Sequence, residues 1–195
     1  MTAAARAAPA NGLFVAVVGP SGAGKDALIR GLADRIDAAD RVFVARRVVT
    51  RPADAFEDHD TLAEHEFLAA RANGRFALAW SAHGLHYGVP REIEARLEAG
   101  QAVVCNVSRA VVGELRRLFR QSLVVLVTAR PETLAARLAA RGRDDGASRR
   151  ERLERSAAAE VVCQPDATID NDGALDEAIE RLQALVFGAL RSAAP

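Results

Sequence analysis

An α/β fold, with helices covering both faces of a parallel sheet, is what this sequence predicts, on three observations. The run Leu13-Phe14-Val15-Ala16-Val17-Val18 is apolar throughout and closes at Gly19. Such a run marks a strand buried on both faces, as parallel strands are. Further strand-length apolar runs alternate along the chain with stretches of helical period, the order that crossover helices require. The 195 residues are 50% hydrophobic and 27% charged, enough apolar surface for one core and too much for a chain disordered by composition.

The elements follow in order. After the first strand and a glycine-rich turn, a helix is predicted from about Lys25 to Asp37, with Leu28, Ile29 and Leu32 on one face. A second strand covers about Val42 to Val49. Arg51 to Asp60 is polar and holds a proline, which predicts a loop. A short helix spans about Leu62 to Ala72, and Phe76–Trp80 and Leu85–Val89 read as two short strands about a turn at His83-Gly84. Pro90 is expected to open a helix running to about Glu98, with Gly100 as its stop. Ala102–Val107 is a third core strand, Val111–Phe119 a helix and Ser122–Thr128 a fourth strand. Pro131 starts a helix that ends at Gly142, a loop of polar residues follows, and a polar helix runs to about Glu160. Ala167–Asp170 is a short last strand and Ala174–Leu190 the closing helix. Residues 1–12, Ala-rich with a proline, and the residues after Leu190 are expected to be disordered tails around one domain over 13–191. Residues 47–91 and 141–157 fit the alternating pattern poorly and are expected to project from the sheet.

Composition excludes several functions. Basic and acidic residues balance at 26 each, so no bulk positive charge argues for nucleic acid, and any anion site must be local. The longest apolar runs, Leu13–Val18 and Leu123–Val127, fall far short of the roughly 20 residues that span a bilayer. Cys105 and Cys163 offer no metal-ligand spacing and no disulfide framework, which suits reduced thiols in a cytoplasmic protein. Of the 26 basic residues only Lys25 is a lysine.

That lysine ends Gly19-Pro20-Ser21-Gly22-Ala23-Gly24-Lys25, between a strand and a helix. The arrangement is a phosphate-binding loop: glycines let backbone N–H groups turn in around phosphate oxygens, and the helix N-terminus adds its partial positive charge. The lysine supplies a compact point charge for the β- and γ-phosphates of a nucleotide. Two glycines at the required offsets from the sole lysine arise by chance about 0.5% of the time at average glycine usage. Asp26 stands where the motif has Ser or Thr, whose hydroxyl ligates Mg²⁺. A carboxylate is also a hard oxygen ligand, so Asp26 is a candidate metal contact; stabilisation of the helix N-terminus is the other reading.

Arg137, Arg141, Arg143, Arg149, Arg150, Arg152 and Arg155 crowd a 19-residue stretch. Alone they would be a solvated charged face. Beside a phosphate loop, arginines on a mobile segment can close over a transferring phosphoryl group and offset its charge. No residue stands out as a general base. None is needed where the acceptor is a phosphate, already largely a dianion at neutral pH.

The whole pattern, from Leu13 to about Leu190, resembles the guanylate kinase family of nucleoside monophosphate kinases. It shares with that family the phosphate loop, Thr50-Arg51 followed by Pro52, Asp58-His59 where the family has Asp-Tyr, and Tyr87-Gly88. It also shares Arg141-Gly142, Arg152-Leu153 and Asn171-Asp172. The resemblance implies a P-loop NTPase fold with a parallel core sheet, an acceptor-binding insertion at about 47–91 and a lid at about 141–157. It also implies ATP and Mg²⁺ as cofactors.

The guanine-reading positions differ. Arg47 replaces a serine, Ala79 a glutamate, Val89 a Ser or Thr, and Asn106 and Ser108 two acids. A guanine edge left without acceptors costs roughly 1–3 kcal/mol, while Arg47 and Arg109 add cations. Those departures are similar to a branch of the family that phosphorylates the 1-phosphate of ribose 1,5-bisphosphate in phosphonate breakdown. The branch pattern stands here as Gly24-Lys25-Asp26, Arg47 to Arg51, Glu57 to His59, Trp80 to Gly88, Asn106 to Arg109 and Arg141 to Arg143.

The implied roles are as follows. Gly19, Pro20, Ser21, Gly22, Ala23, Gly24, Lys25, Asp26 and Arg143 bind the nucleotide, and Lys25, Arg141 and Arg152 are catalytic. Arg47 and Arg51 with Tyr87 hold one acceptor phosphate, and Arg109 with His59 the other. Glu57, Asn106 and Ser108 are candidates for the ribose hydroxyls. His59 capping a turn, Trp80 as packing, His83 and His86 as a surface hairpin, and Cys105 as core are the plainer readings of those residues. A guanylate or other nucleoside monophosphate kinase is the rival activity, and a non-catalytic binding module the rival class. The expected partner is a small-molecule substrate, with no nucleic acid and no membrane; oligomeric state stays open.

Overall fold

A computed structural model describes residues 12–53, 58–82, 84–140 and 163–193. Strand β1 (Leu13–Val18) is completely buried and lies at the centre of a five-stranded sheet. Its side chains alternate between two cores, Leu13, Val15 and Val17 on one face and Phe14, Ala16 and Val18 on the other. This is why the run is apolar without interruption. The sheet order is β2 (Val42–Val44), β7 (Ala102–Asn106), β1, β8 (Ser122–Thr128), β9 (Ala167–Asp170), and every pairing is parallel.

The first core is closed by α1 (Lys25–Ala33), through Leu28, Ile29 and Leu32, and by α6 (Leu175–Ala193), through Ile179, Leu182 and Val186. The second is closed by α3 (Ile93–Glu98) and α4 (Val112–Leu118), with Phe14 stacked on Phe119 at 4.7 Å. Helix α5 (Pro131–Ala140) follows β8 and places Leu134 in the first core.

Residues 48–90 form a second sheet, ordered β4 (Asp60–Thr61), β3 (Val48–Val49), β6 (Leu85–Pro90), β5 (Phe76–Ala82). The β3–β6 and β5–β6 pairings are antiparallel. Leu78, Trp80 and Val89 reach the second core, while α2 (Glu64–Ala72) rests on a small cluster of Val48, Phe67 and Phe76.

Beyond shifts of one or two residues at element ends, four features differ from those the sequence predicts. The expected strand over about 42–49 is two strands in different sheets. Ala45 still donates to the Val104 carbonyl of the core sheet, whereas the Arg47 carbonyl already accepts from Asp60 in the second. Helix α1 stops at Ala33 because Asp37 starts a separate helical turn, accepting from the Ala39 N–H at 2.7 Å while Asp40 accepts from the Asp37 N–H. Pro90 ends a strand and opens no helix: it pairs with Phe76, and α3 begins at Ile93. The last helix continues past Leu190 to Ala193. Of the predicted tail over residues 1–12 all but Gly12, the predicted lid over 141–157 and the polar helix predicted to about Glu160 lie outside the described residues.

Candidate active site

Ligand sites in parallel α/β sheets form beyond the carboxyl ends of the strands, and the chemistry-bearing residues gather there. The glycine loop follows β1, Asn106 to Arg109 follows β7, and Asn171 and Asp172 follow β9. Gly19, Gly22 and Gly24 all have φ between 87° and 146°, a range L side chains avoid. At Gly24 a Cβ would run into the Asn171 amide, so the loop turns where no side chain fits. The Lys25 ammonium curls back over this loop and donates to the Gly19 and Pro20 carbonyls at 3.0 and 2.9 Å. Ser21 is exposed at the tip, and Ala23 is buried beneath it.

Asp26 lies in the first turn of α1. Its Oδ1 accepts from the Asn106 amide at 2.8 Å and from the Arg47 guanidinium at 3.4 Å. Arg47 and Asn106 are both buried, at 8% and 7% exposure. Three residues far apart in the chain thus meet at the seam between the sheets. Cys105, next to them on β7, is fully buried. Burial pushes its thiol up to about 12; the Arg47 charge pulls it down and the Asp26 charge adds to the rise.

Arg51 donates to the Pro52 carbonyl at 3.2 Å, and its own carbonyl accepts from the Thr61 hydroxyl at 3.1 Å. Tyr87 stacks on Trp80 at 5.4 Å, nearly parallel, and Trp80 is buried in the second core. His59 is 2% exposed. Its Nδ1 lies 3.2 Å from the Asp60 carbonyl, and its Nε2 is buried without a partner among the described residues. Ser108 caps the turn after β7, accepting from the Ala110 N–H at 3.3 Å, and Arg109 opens that turn. Arg109 therefore stands in the turn beyond β7 of the core sheet, and His59 stands beside β4 of the second sheet. Glu57, His83, Arg141, Arg143 and Arg152 lie outside the described residues. His86 is more than a surface residue: it approaches the Ser81 hydroxyl at 2.7 Å and Glu64 at 3.3 Å, and stacks on Phe67.

Nothing in the sequence separates Arg137 from its arginine cluster. The structure places it on α5, where Nη2 donates to the Asn171 carbonyl at 2.9 Å. Its Nη1 is buried with no partner among the described residues and lies 3.8 Å from where a Cβ on Gly24 would stand. Asn171 in turn donates to the Ala23 carbonyl at 2.8 Å, and its Oδ1 is buried with no partner among the described residues. A buried donor and a buried acceptor beside a glycine cradle fit a nucleotide.

The guanylate kinase family profile matches residues 12–189. The chain belongs to the guanylate kinase family. A solved guanylate kinase from Anaplasma phagocytophilum shares the fold at a TM-score of 0.67 and 19% identity, over 92% of this chain and 86% of that one. Among curated relatives, a ribose 1,5-bisphosphate phosphokinase from Ruegeria sp. is 47% identical, covering 95% of this chain and 97% of its own. Another of the same name from Acidiphilium cryptum is 49% identical, covering 84% and 86%. Membership in the guanylate kinase family implies use of a nucleotide and typically of a divalent metal. Among the described residues no group of three or more His, Cys, Asp or Glu side chains could hold a metal ion. A metal here would rest on Asp26 together with phosphate oxygens and water, the usual manner of Mg²⁺ at phosphates.

Proposed function

We propose that this chain transfers the terminal phosphoryl group of ATP, with Mg²⁺, to the 1-phosphate of ribose 1,5-bisphosphate, giving 5-phosphoribosyl 1-diphosphate and ADP. The observation that carries the reading is Arg47. Where the family resemblance calls for a guanine-reading serine, a buried guanidinium reaches the end of the phosphate loop. Other positions agree: Val89 is fully buried in the second core and Ala79 packs on the cluster around Phe67. A guanine edge would find no acceptor in either. The relatives named for this activity at 47% and 49% identity support the same reading.

The proposed mechanism is a direct displacement. An oxygen of the acceptor phosphate forms the new P–O bond to the γ-phosphorus, and the β–γ bridging bond breaks as ADP leaves. The loop N–H groups and Lys25 hold the β- and γ-phosphates. Arg141 and Arg152 offset charge on the transferring group, and Arg143 assists the nucleotide. Asp26 would hold the metal, which would neutralise charge on the phosphates. Arg47 and Arg51 with Tyr87 hold one acceptor phosphate. Arg109 and His59, whose Nε2 has no partner among the described residues, serve the other, and Glu57, Asn106 and Ser108 meet the ribose. The described residues contain no helix long and apolar enough to cross a membrane, and a cytoplasmic location accords with two buried cysteines whose spacing offers no disulfide framework.

A coupled ADP-release assay tests this with ribose 1,5-bisphosphate and GMP as rival acceptors. Two lost base contacts at ~1–3 kcal/mol each predict kcat/KM at least about thirtyfold higher for the bisphosphate. Faster turnover of GMP overturns the reading.

A further inference from the structure

We propose that Asp26 is a positioning residue of the acceptor site: its carboxylate holds the Arg47 guanidinium at the end of the phosphate loop, where the acceptor phosphate must meet the transferring group. The inference rests on the phosphokinase reading above and deepens it. Asp26 belongs to α1 and the core sheet, while the Arg47 backbone belongs to the second sheet through the Asp60 N–H, 2.8 Å from its carbonyl. Their side chains meet at 3.4 Å, and Asn106 fixes the same Asp26 oxygen at 2.8 Å from the end of β7. The carboxylate is thus oriented independently of Arg47, as a positioning group has to be.

Charge explains why the pair exists. Arg47 is 8% exposed, and a buried cation without a counter-charge is strongly destabilising. A Ser or Thr at position 26, the usual phosphate-loop residue, would leave it uncompensated. The chain departs from the family pattern at both positions 26 and 47, and those two side chains touch. One departure therefore makes the other tolerable. The bond to Asp26 is long and is the only one that the described residues give this guanidinium. A guanidinium has five N–H donors in a planar fork, so the bond to Asp26 takes one of them and sets the direction of the fork that grips the phosphate.

The test is a double-mutant cycle on Asp26→Ser, Arg47→Ser and the double variant. Calorimetry would measure ribose 1,5-bisphosphate binding without nucleotide and, separately, Mg-ADP binding. Coupling between contacting groups is worth about tenfold. D26S is expected to weaken the bisphosphate about tenfold in the absence of nucleotide and metal, whereas any loss of Mg-ADP binding reports its metal contact. R47S is expected to weaken it about a hundredfold, and the double variant no further than R47S alone. Unchanged bisphosphate affinity in D26S, or losses that multiply in the double variant, overturn the proposal while leaving the phosphokinase reading intact. If D26S does not fold, R47S against the double variant decides: equal affinities support the coupling, and a further tenfold loss overturns it. Failure of the unmodified chain to bind the bisphosphate at all would overturn the phosphokinase reading, and this inference with it.

Discussion

At the scale of single residues, Lys25 carries the largest expected effect. Its ammonium spans the Gly19 and Pro20 carbonyls, contacts that the nucleotide's phosphate oxygens would supersede. Lys25→Ala should cut ADP release by about 10²–10³-fold, the usual cost of a lost transition-state donor, with an unchanged circular-dichroism melt. Lys25→Arg should be nearly as poor, because a planar fork does not replace a compact ammonium within a tight turn. Retention of a tenth of the activity by either variant would remove Lys25 from the chemistry. Cys105 makes a second prediction, with a definite sign. Its thiol titrates near 9.0 when exposed and is pushed up to about 12 in the fold by burial. Below pH 9 both states keep the proton and stability is unaffected. Above it only the unfolded chain releases the proton, so stability falls as pH rises from 9 toward 12. Urea midpoints from pH 8 to 11 should fall more steeply for the native sequence than for Cys105→Ala; parallel slopes would mean that the thiol is not buried. The glycine loop was legible in the sequence because its chemistry is local. The meeting of Asp26, Arg47 and Asn106 was not, because residues 21 and 80 positions apart share no period that a sequence can display.

At the scale of elements, the apolar runs were readable and the seams between them were not. β1 and β8 stand where apolar, Val-rich runs place them, and β9 where the short Ala167–Asp170 run does. The run from Val42 to Val49 looks equally continuous apart from Arg46-Arg47, and nothing local says that the chain changes sheets there. The physical reason lies outside the run: Val104 accepts from Ala45, whereas Asp60 donates to Arg47 and pairs its own carboxylate with Arg46. Proline at 90 misled for a similar reason, since a residue without an N–H suits a strand end as well as a first helical turn. The packing of α1 on α6 supplies a stability prediction. A Cβ at Gly31 would collide with the Ile179 side chain, which is itself in the first core. Gly31→Ala improves helix propensity by about 1 kcal/mol, but overpacking a filled core typically costs 1–3 kcal/mol. The variant should therefore be neutral to about 2 kcal/mol less stable in urea, and the pair Gly31→Ala with Ile179→Val should recover the loss. A gain in stability from Gly31→Ala alone would show that the two helices are not in tight contact.

At the scale of the whole molecule, the two sheets are unequally supported, and that inequality should be measurable. The core sheet lies between two large apolar clusters and its central strand is completely buried. The outer side of the second sheet, β3 and β4 with α2, rests on three buried residues, Val48, Phe67 and Phe76, of which Phe67 and Phe76 stack at 4.5 Å. Few buried apolar contacts mean a low free energy of local opening. Amides of α2 and β4 should therefore exchange with solvent at least about a hundredfold faster than those of β1 and β8, a gap of roughly 3 kcal/mol. Ligands should act on different parts of this map. Mg-ADP should slow exchange at residues 19–26, whereas ribose 1,5-bisphosphate should slow it at β3, β6 and the turn after β7, where Arg47, Tyr87 and Arg109 stand. The acceptor should also narrow the gap between the sheets, because its phosphates must be gripped from both at once if Arg47 and Arg109 share it. Mass spectrometry of exchange with each ligand alone decides the matter. Uniform protection of both sheets by the acceptor would mean that the molecule opens as one unit, and protection confined to the glycine loop would mean that the acceptor binds in the nucleotide's place.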